Sequence, residues 1–238
     1  MADLRVLCLH GQQASAEILE WQLGPLASKF EHHLGMTFHQ VDGLIEADPD
    51  PCFEGIFEPP FFDWVQWRSP DDSRVNSTSS DASLATVRAA FELLDHVVEE
   101  QGPFDGILGF SQGASVACAY LAHLDRRDGS CSPFRFAIFF SSGGLSADHL
   151  LLLHRLSGMT DKEQQKTPAL EGLLSMPALH VHGNADKLKD DALAMVRLWQ
   201  PGSAVVASHQ GGHVIPRDVA SIGRIVSAAK LMMQSVVS

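Results

Sequence analysis

One short run of the chain, from Asp105 to Ala117, limits the possible folds more than any other. It reads DGILGFSQGASVA: an apolar stretch leads to Ser111, and small residues follow at once. Gly109 and Gly113 stand two positions to either side of this serine. The apolar run predicts a buried strand, and the small residues predict a helix packed closely on the sheet. The pattern therefore predicts a sharp turn from strand to helix with a serine at its tip.

Short apolar runs and longer helical patterns alternate along the whole chain. Strands are predicted at Leu4–Leu9, Thr37–Val41, Gly106–Phe110, Phe134–Phe140, Ala178–His182 and Ala204–Ser208. Helices are predicted at Ala14–His32, Ser83–Glu100, Ser111–Leu124, Leu188–Trp199 and Ile215–Val236, the last with Pro216 near its start. This alternation predicts an α/β fold with a mainly parallel central sheet and helices on both faces.

Two segments interrupt the alternation and are predicted to be short lid-like inserts in a single domain over residues 1–238. Residues 46–80 hold five prolines and two tryptophans and end in a polar run. We expect that polar half to be a mobile surface loop. Residues 145–175 include the run DHLLLLHRL, which predicts a small helical excursion over the strand ends.

Composition excludes several classes of partner. The net charge of −12 argues against nucleic acid and against anionic membrane surfaces. No apolar run reaches the roughly 18 residues of a membrane span, and no signal peptide is evident. The four cysteines are widely spaced, which is typical of reduced thiols. We therefore expect a cytoplasmic protein; the sequence leaves the oligomeric state open, with a homodimer among the possibilities.

A serine at such a turn can act as a nucleophile only with an adjacent base that a carboxylate orients. In this architecture the acid and then the base follow the serine along the chain, each at the end of a strand. Asp186 follows the predicted strand in PALHVHGNAD, and His213 follows the one in AVVASHQGGH. Ser111, Asp186 and His213 are therefore the predicted catalytic triad.

Alternatives exist for two members of this triad. Asp190 and Asp191 are the rival acids, but they fall in the helix that follows and would face solvent. His209 is the rival base, but it still belongs to the end of its strand. His213 follows two glycines in a loop that can bring its ring to the serine.

Backbone amides are the predicted donors to a developing oxyanion. The first is that of Gln112, directly after the serine, and the second comes from the loop after the first strand. That loop reads HGQQ, and we expect the amide of Gln12 to be the donor, with Gln13 as the alternative. His10 is expected to brace this loop.

No cofactor or metal is predicted. The pair His180 and His182 shares one face of a strand but has no nearby set of carboxylate or cysteine partners in the sequence. Glycine-rich motifs for dinucleotides or nucleoside triphosphates are absent from the sequence.

Aromatic residues near the serine and in the first insert predict a pocket for an apolar or aromatic acyl chain. The alternative is that the insert's aromatic residues only anchor a long loop. The predicted pocket residues are Phe110, Trp64, Trp67, Ser142 and Gly143.

The motifs LCLHG, GFSQG, HGNAD and GGH, in this order and over nearly the whole chain, resemble the FSH-type serine hydrolases of the α/β-hydrolase superfamily. The resemblance implies an α/β-hydrolase fold and a cofactor-free hydrolase. By matching motif it implies Ser111 as nucleophile, Asp186 as acid and His213 as base. One departure is the sequence Gln12-Gln13-Ala14, where many relatives carry a further aromatic or glycine-containing pattern.

Many fungal members of this family accompany polyketide synthases, so the resemblance suggests an esterase or thioesterase of secondary metabolism. The expected substrate is a small acyl ester or acyl thioester, free or bound to a carrier protein. Three alternatives stay open: an acyltransferase with the same triad, a general short-chain carboxylesterase, and a non-enzymatic binding module on this scaffold.

Overall fold

A computed structural model of the chain describes residues 3–66, 79–127, 132–143 and 172–237. Its strands are β1 (Leu4–Leu9), β2 (Met36–Val41), β3 (Ile45–Ala47), β4 (Phe61–Asp63), β5 (Gly106–Phe110), β6 (Phe136–Phe140), β7 (Ala178–Gly183) and β8 (Ala204–His209). Six of them form one sheet in the order β2-β1-β5-β6-β7-β8, with every neighbouring pair parallel. The predicted parallel sheet is confirmed.

Helices cover both faces of this sheet, as predicted. They are α1 (Ala16–Leu34), α2 (Ser79–Gln101), α3 (Gln112–Arg127), α4 (Lys189–Val196) and α5 (Val219–Val237). Apolar residues of α1 and α5 pack in one core cluster, and those of α2, α3 and α4 pack in another on the opposite face. Among the described helices, none combines the length and apolarity needed to cross a bilayer.

The central strands were predictable because both faces of a parallel sheet are covered, so their sequences are continuous apolar runs. Every residue of β5 (GILGF) and β6 (FAIFF) is buried.

The ends of helix α1 are also marked by residues close in sequence. The Ser15 hydroxyl accepts a hydrogen bond from the Ile18 N–H at 3.3 Å, and Gly35 ends the helix with φ of 67°.

The start of the last helix was predicted wrongly. Helix α5 begins at Val219 rather than Ile215, so Pro216 lies before the helix and not in its first turn. The carboxylate of Asp218 accepts a hydrogen bond from the Ser221 N–H at 2.8 Å, which is an N-cap contact. Residues 215–218 are therefore left in a loop, and that loop reaches the site described below.

The first insert contains an antiparallel pairing of β3 with β4 that was not predicted. Phe62 exchanges two backbone hydrogen bonds with Ala14, just before α1, at 2.7 and 3.3 Å. Phe61 packs on Ala14 and Ile18. This half of the insert is thereby fixed beside the strand ends. Most of the predicted mobile loop and most of the second insert lie outside the described residues, but residues 79 and 80 belong to α2, which begins earlier than the predicted Ser83.

Candidate active site

Ser111 occupies the turn between β5 and α3. Its φ is 54°, in the left-handed region that residues other than glycine seldom adopt. Its N–H donates to the Phe140 carbonyl at 3.0 Å, and its own carbonyl accepts from the Ala114 N–H at 3.1 Å. These bonds hold the strained backbone, as is common at functional sites, and they leave the serine at the carboxyl edge of the sheet.

Close backbone packing explains the two glycines that frame this serine. A Cβ atom on Gly109 would lie 2.4 Å from Cα of Ala114, and one on Gly113 would lie 2.3 Å from the carbonyl oxygen of Leu9. Real Cβ atoms do not approach so closely, so neither position accepts a side chain without moving the backbone. The turn requires both glycines.

The structure brings Ser111, His213 and Asp186 together from three strand ends. Nε2 of His213 lies 2.8 Å from the Ser111 Oγ, and Nδ1 lies 2.9 Å from Oδ2 of Asp186. The His213 side chain is 35% exposed and that of Asp186 only 1%. The three side chains thus form one continuous hydrogen-bonded chain, with the serine end open to a ligand.

Asp186 is held in its ionised form. Burial raises its pKa, but hydrogen bonds from the Leu188 N–H, at 2.9 Å, and from His213 outweigh burial and lower the pKa below its ordinary value. The rival acids Asp190 and Asp191 are exposed on α4. Asp186 is therefore the carboxylate that the structure places against the histidine.

The loops that carry Asp186 and His213 are joined to each other. The Asn184 N–H donates to the His209 carbonyl at 2.7 Å, and the Ala185 N–H donates to the Gly211 carbonyl at 3.1 Å. The ring of His209 is buried, and its Nδ1 accepts from the Gly211 N–H at 3.2 Å. His209, the rival base, thus contacts the base loop rather than the serine.

The backbone amides of Gln112 and Gln12 are the predicted donors to an oxyanion. Gln112 opens α3, where backbone N–H groups lack intrahelical acceptors. Gln12 lines the same cavity as Ser111, whereas the Gln13 N–H already donates to Oδ1 of Asp63 at 2.8 Å. No acceptor among the described residues bonds the amide of Gln12 or of Gln112. The alternative donor Gln13 is therefore engaged elsewhere.

His10 and Trp64 brace the first loop. Nε2 of His10 accepts from the Gly43 N–H at 3.0 Å, and the Trp64 indole donates to the His10 carbonyl, also at 3.0 Å. Burial lowers the pKa of His10 to about 4, so its ring stays neutral. Trp64 is fully buried here and does not line the cavity beside Ser111, which corrects its prediction as a pocket residue.

The side chain of Gln112 has a structural role that the sequence did not indicate. Its Oε1 accepts from the Trp64 N–H at 2.7 Å and the Val65 N–H at 3.4 Å, and its Nε2 donates to the Val65 carbonyl at 3.1 Å. These bonds satisfy buried backbone groups that have no access to water. One residue thereby links the turn at Ser111 to residues 64 and 65 of the first insert.

Replacing Gln112 with leucine is expected to lower the free energy of unfolding by about 2–4 kcal/mol, because buried amides and a carbonyl lose their partners. Urea denaturation of this variant and of Gln200→Leu, a matched change on an exposed loop, provides the measurement. A loss below about 1 kcal/mol at Gln112 would show that its side chain does not hold the insert.

A cavity of about 810 Å³ opens beside Ser111. Its volume is within the range of small-molecule sites. The insert contributes Phe53 and Phe57, and Trp21 of α1 contacts Phe57 edge-on, with ring centroids 5.7 Å apart. Phe110 lies in the wall as predicted. Part of the first insert therefore does shape the cavity, through Phe53 and Phe57 rather than through Trp64.

The other predicted pocket residues lie elsewhere. Ser142 is buried, and its hydroxyl donates to Sδ of Met195 at 3.0 Å, away from the cavity. Gly143 is next to Ser115 and does not line the cavity either. Trp67 lies outside the described residues.

Within the described ranges, no group of three or more His, Cys, Asp or Glu side chains is arranged to hold a metal ion.

Solved structures share this fold. The chain is similar to esterase PE8, with a TM-score of 0.55 and 17% identity over 99% of this chain and 93% of that one. It is also similar to Arabidopsis thaliana SOBER1, with a TM-score of 0.55 and 17% identity over 98% of this chain and all of that one. The predicted α/β-hydrolase fold is confirmed.

Sequence comparison extends the likeness to the family. Hydrolase phiM of a fungal species (strain ATCC 74256) is 31% identical over 233 residues, covering 98% of this chain and 96% of that one. Esterase FPY3 of Fusarium mangiferae is 31% identical over 221 residues, covering 90% and 89%. The family model for serine hydrolases (FSH1) matches residues 1–224. The chain therefore belongs to the serine hydrolase (FSH1) family.

Proposed function

We propose that the protein hydrolyses an ester or thioester of an apolar acyl group, with Ser111 as nucleophile, His213 as base and Asp186 as the orienting acid. One observation carries the proposal: the unbroken hydrogen-bonded chain from the Ser111 hydroxyl through His213 to Asp186, with distances of 2.8 and 2.9 Å. Such a chain converts an unreactive hydroxyl into a nucleophile.

Acylation follows from this arrangement. Nε2 of His213 takes the hydroxyl proton as Oγ of Ser111 bonds to the carbonyl carbon. Asp186 stabilises the imidazolium that results, and the imidazolium then protonates the leaving alcohol or thiol as its bond to carbon breaks. Water attacks the acyl-serine by the same proton transfers in reverse, which releases the carboxylic acid and restores the hydroxyl.

The amides of Gln112 and Gln12 would stabilise the tetrahedral intermediate. Donors that are fixed before the reaction stabilise developing negative charge without having to reorganise, and loss of one typically lowers turnover by about 10²–10³-fold. The start of α3 adds the positive end of the helix dipole at the same place.

The acyl group is expected to be apolar or aromatic because Trp21, Phe53, Phe57 and Phe110 line the cavity. Similarity to fungal relatives, among them proteins named as esterases, supports an acyl ester as substrate. The resemblance to hydrolases that accompany polyketide synthases supports a polyketide-like acyl group and a place in secondary metabolism.

Active-site labelling combined with hydrolysis tests the proposal. A fluorophosphonate should phosphonylate one residue, Ser111, located by peptide mass spectrometry, in native protein and not in protein unfolded in urea. Hydrolysis of a 4-nitrophenyl ester and of an N-acetylcysteamine thioester, both of 3-phenylpropanoic acid, should fall in proportion to labelling. Label on another residue, or hydrolysis that survives complete labelling of Ser111, would contradict the proposal.

A further inference from the structure

Trp21 is an exposed aromatic residue on the wall of the cavity beside Ser111. It belongs to α1 and is 53% exposed, although a tryptophan in a folded protein is usually well buried. Apolar surface that stays open next to a reactive group is typical of a binding site, because a ligand can cover it. The contacts that hold this indole therefore bear on which substrates the cavity accepts.

A gap in the hydrogen bonding of α1 lies at Trp21. In an α-helix, each carbonyl accepts from the N–H four positions later. Four positions after Trp21 the helix contains Pro25, which has no N–H. The guanidinium of Arg217 fills this gap, since its Nη1 donates to the Trp21 carbonyl at 2.9 Å. Arg217 comes from the loop before α5, four residues after His213.

The same guanidinium also contacts the indole ring. Its Cζ lies 4.4 Å from the ring centroid of Trp21, which is a cation–π contact. The indole meets Phe57 edge-on, with centroids 5.7 Å apart, and Phe57 meets Phe53 edge-on at 5.9 Å. These four residues form a row drawn from three separate segments, and all of them line the cavity.

A side chain that is already fixed loses little conformational freedom when a ligand covers it, so it binds an apolar group at a lower entropic cost. We propose that Arg217 is a positioning residue, which fixes Trp21 as part of the wall against which the acyl group of the substrate packs. Trp21 held in this way favours aryl and long-chain acyl groups. An acetyl group, with one carbon beyond its carbonyl, gains little from the wall. This inference rests on the proposed function.

The preference for a large acyl group over a small one tests the role of Arg217. The 4-nitrophenyl esters of 3-phenylpropanoic acid and of acetic acid are compared by kcat/KM in the wild type and in Arg217→Met. Methionine has a long side chain but lacks the charge and the donors. The ratio of 3-phenylpropanoyl to acetyl ester should fall about three- to fivefold, the size expected for loss of one partly exposed cation–π contact. The fall should lie mainly in KM of the larger ester, because ground-state binding is lost.

Arg5→Met is the matched control. Nη1 of Arg5 donates to the Pro103 carbonyl at 3.0 Å, and its Cζ lies 4.8 Å from the ring centroid of Phe104. Arg5 therefore makes the same two kinds of contact, but near the start of β1 and not on the cavity wall. The ratio in Arg5→Met should stay within about 1.5-fold of the wild-type ratio.

A double-mutant cycle shows whether Arg217 acts through the indole. Trp21→Leu should lower the ratio at least as much as Arg217→Met does, because the ring itself is lost. Adding Arg217→Met to Trp21→Leu should lower the ratio by less than about a further 1.5-fold, since residues in contact are coupled and their effects do not add.

Two results would overturn the inference. One is an equal fall in kcat/KM for both esters, or no fall, in Arg217→Met; an equal fall would mean that Arg217 only supports the loop that carries His213. The other is a fall in the ratio that is the same with and without the Trp21 ring. Each ratio compares substrates on one protein sample, so an unfolded fraction cancels.

A second variant keeps the test decisive should Arg217→Met fail to fold. Arg217→Lys retains the charge and a donor for the Trp21 carbonyl but lacks the planar group that stacks on the indole. It should lower the ratio by about twofold or more, and an unchanged ratio would overturn the inference. Failure of the proposed function would look different, because neither ester would be hydrolysed and Ser111 would not be labelled.

Discussion

Replacement of Ser111 by alanine is expected to lower kcat by about 10⁶-fold, because it removes the hydroxyl that bonds to His213, so that the acyl-enzyme cannot form. The triad acts as a unit, so the residual rate should come only from the oxyanion donors and substrate binding. The ratio of the two kcat values is measured by steady-state hydrolysis of the 4-nitrophenyl ester of 3-phenylpropanoic acid. A sensitive fluorogenic ester, assayed with both proteins, extends the measurement to the slow variant.

Ser227→Ala is the matched control for this experiment. Ser227 is an exposed residue of α5 whose hydroxyl donates to the Gly223 carbonyl in the same helix. Removal of the Ser227 hydroxyl should change kcat by less than about twofold, since surface substitutions of this kind are nearly neutral. A Ser111→Ala variant that keeps more than about one hundredth of the wild-type kcat would show that another group attacks the carbonyl.

The elements around the serine could be predicted because their signals are local. Strands β5 and β6 are buried on both faces, so a short apolar run identifies each of them. The juxtaposition of Asp186 and His213 with Ser111 could be predicted because strands of a parallel sheet end at one edge, which leaves few positions after β7 and β8 for side chains that meet there. Chain order and topology together were sufficient for this.

Contacts distant in sequence could not be predicted in the same way. The role of Trp64 depends on its bond to His10, and the role of the Gln112 side chain depends on backbone groups 47 and 48 residues away. The pairing of β3 with β4 involves three residues from each strand, too few for a periodic pattern. In each case the role of a residue depends on a partner that is distant in sequence, and the local sequence around both partners resembles that of a loop.

The start of α5 and the composition of the cavity wall illustrate the same limit. Apolar periodicity extends back to Ile215, but the Asp218 side chain caps the helix three residues later. Aromatic residues in the first insert suggested a pocket, yet only the folded chain shows that Phe53 and Phe57 line it while Trp64 is buried beneath. The composition of the insert indicated that aromatic residues line the cavity, but tertiary contacts determine which aromatic residues do so.

Replacement of Asp186 by asparagine is expected to lower kcat by about 10⁴-fold while the fold is kept. Oδ1 of Asp186 accepts from the Leu188 N–H, and an asparagine oxygen can take over that bond. The amide nitrogen would then occupy the place of Oδ2 and donate to Nδ1 of His213. That contact moves the ring proton to Nε2, which can then no longer accept the proton of Ser111.

Asp190→Asn is the matched control, since it makes the same chemical change at an exposed carboxylate on α4, four residues along the chain. We expect it to retain the wild-type kcat within about twofold. Both variants should keep the wild-type thermal unfolding midpoint within a few degrees, so that the loss in Asp186→Asn reports on chemistry. Two results would contradict this prediction: a fall in kcat of less than about tenfold in Asp186→Asn, or an equal fall in Asp190→Asn. Either result would show that Asp186 does not keep the His213 ring proton on Nδ1, so that Nε2 is free to accept the serine proton for some other reason.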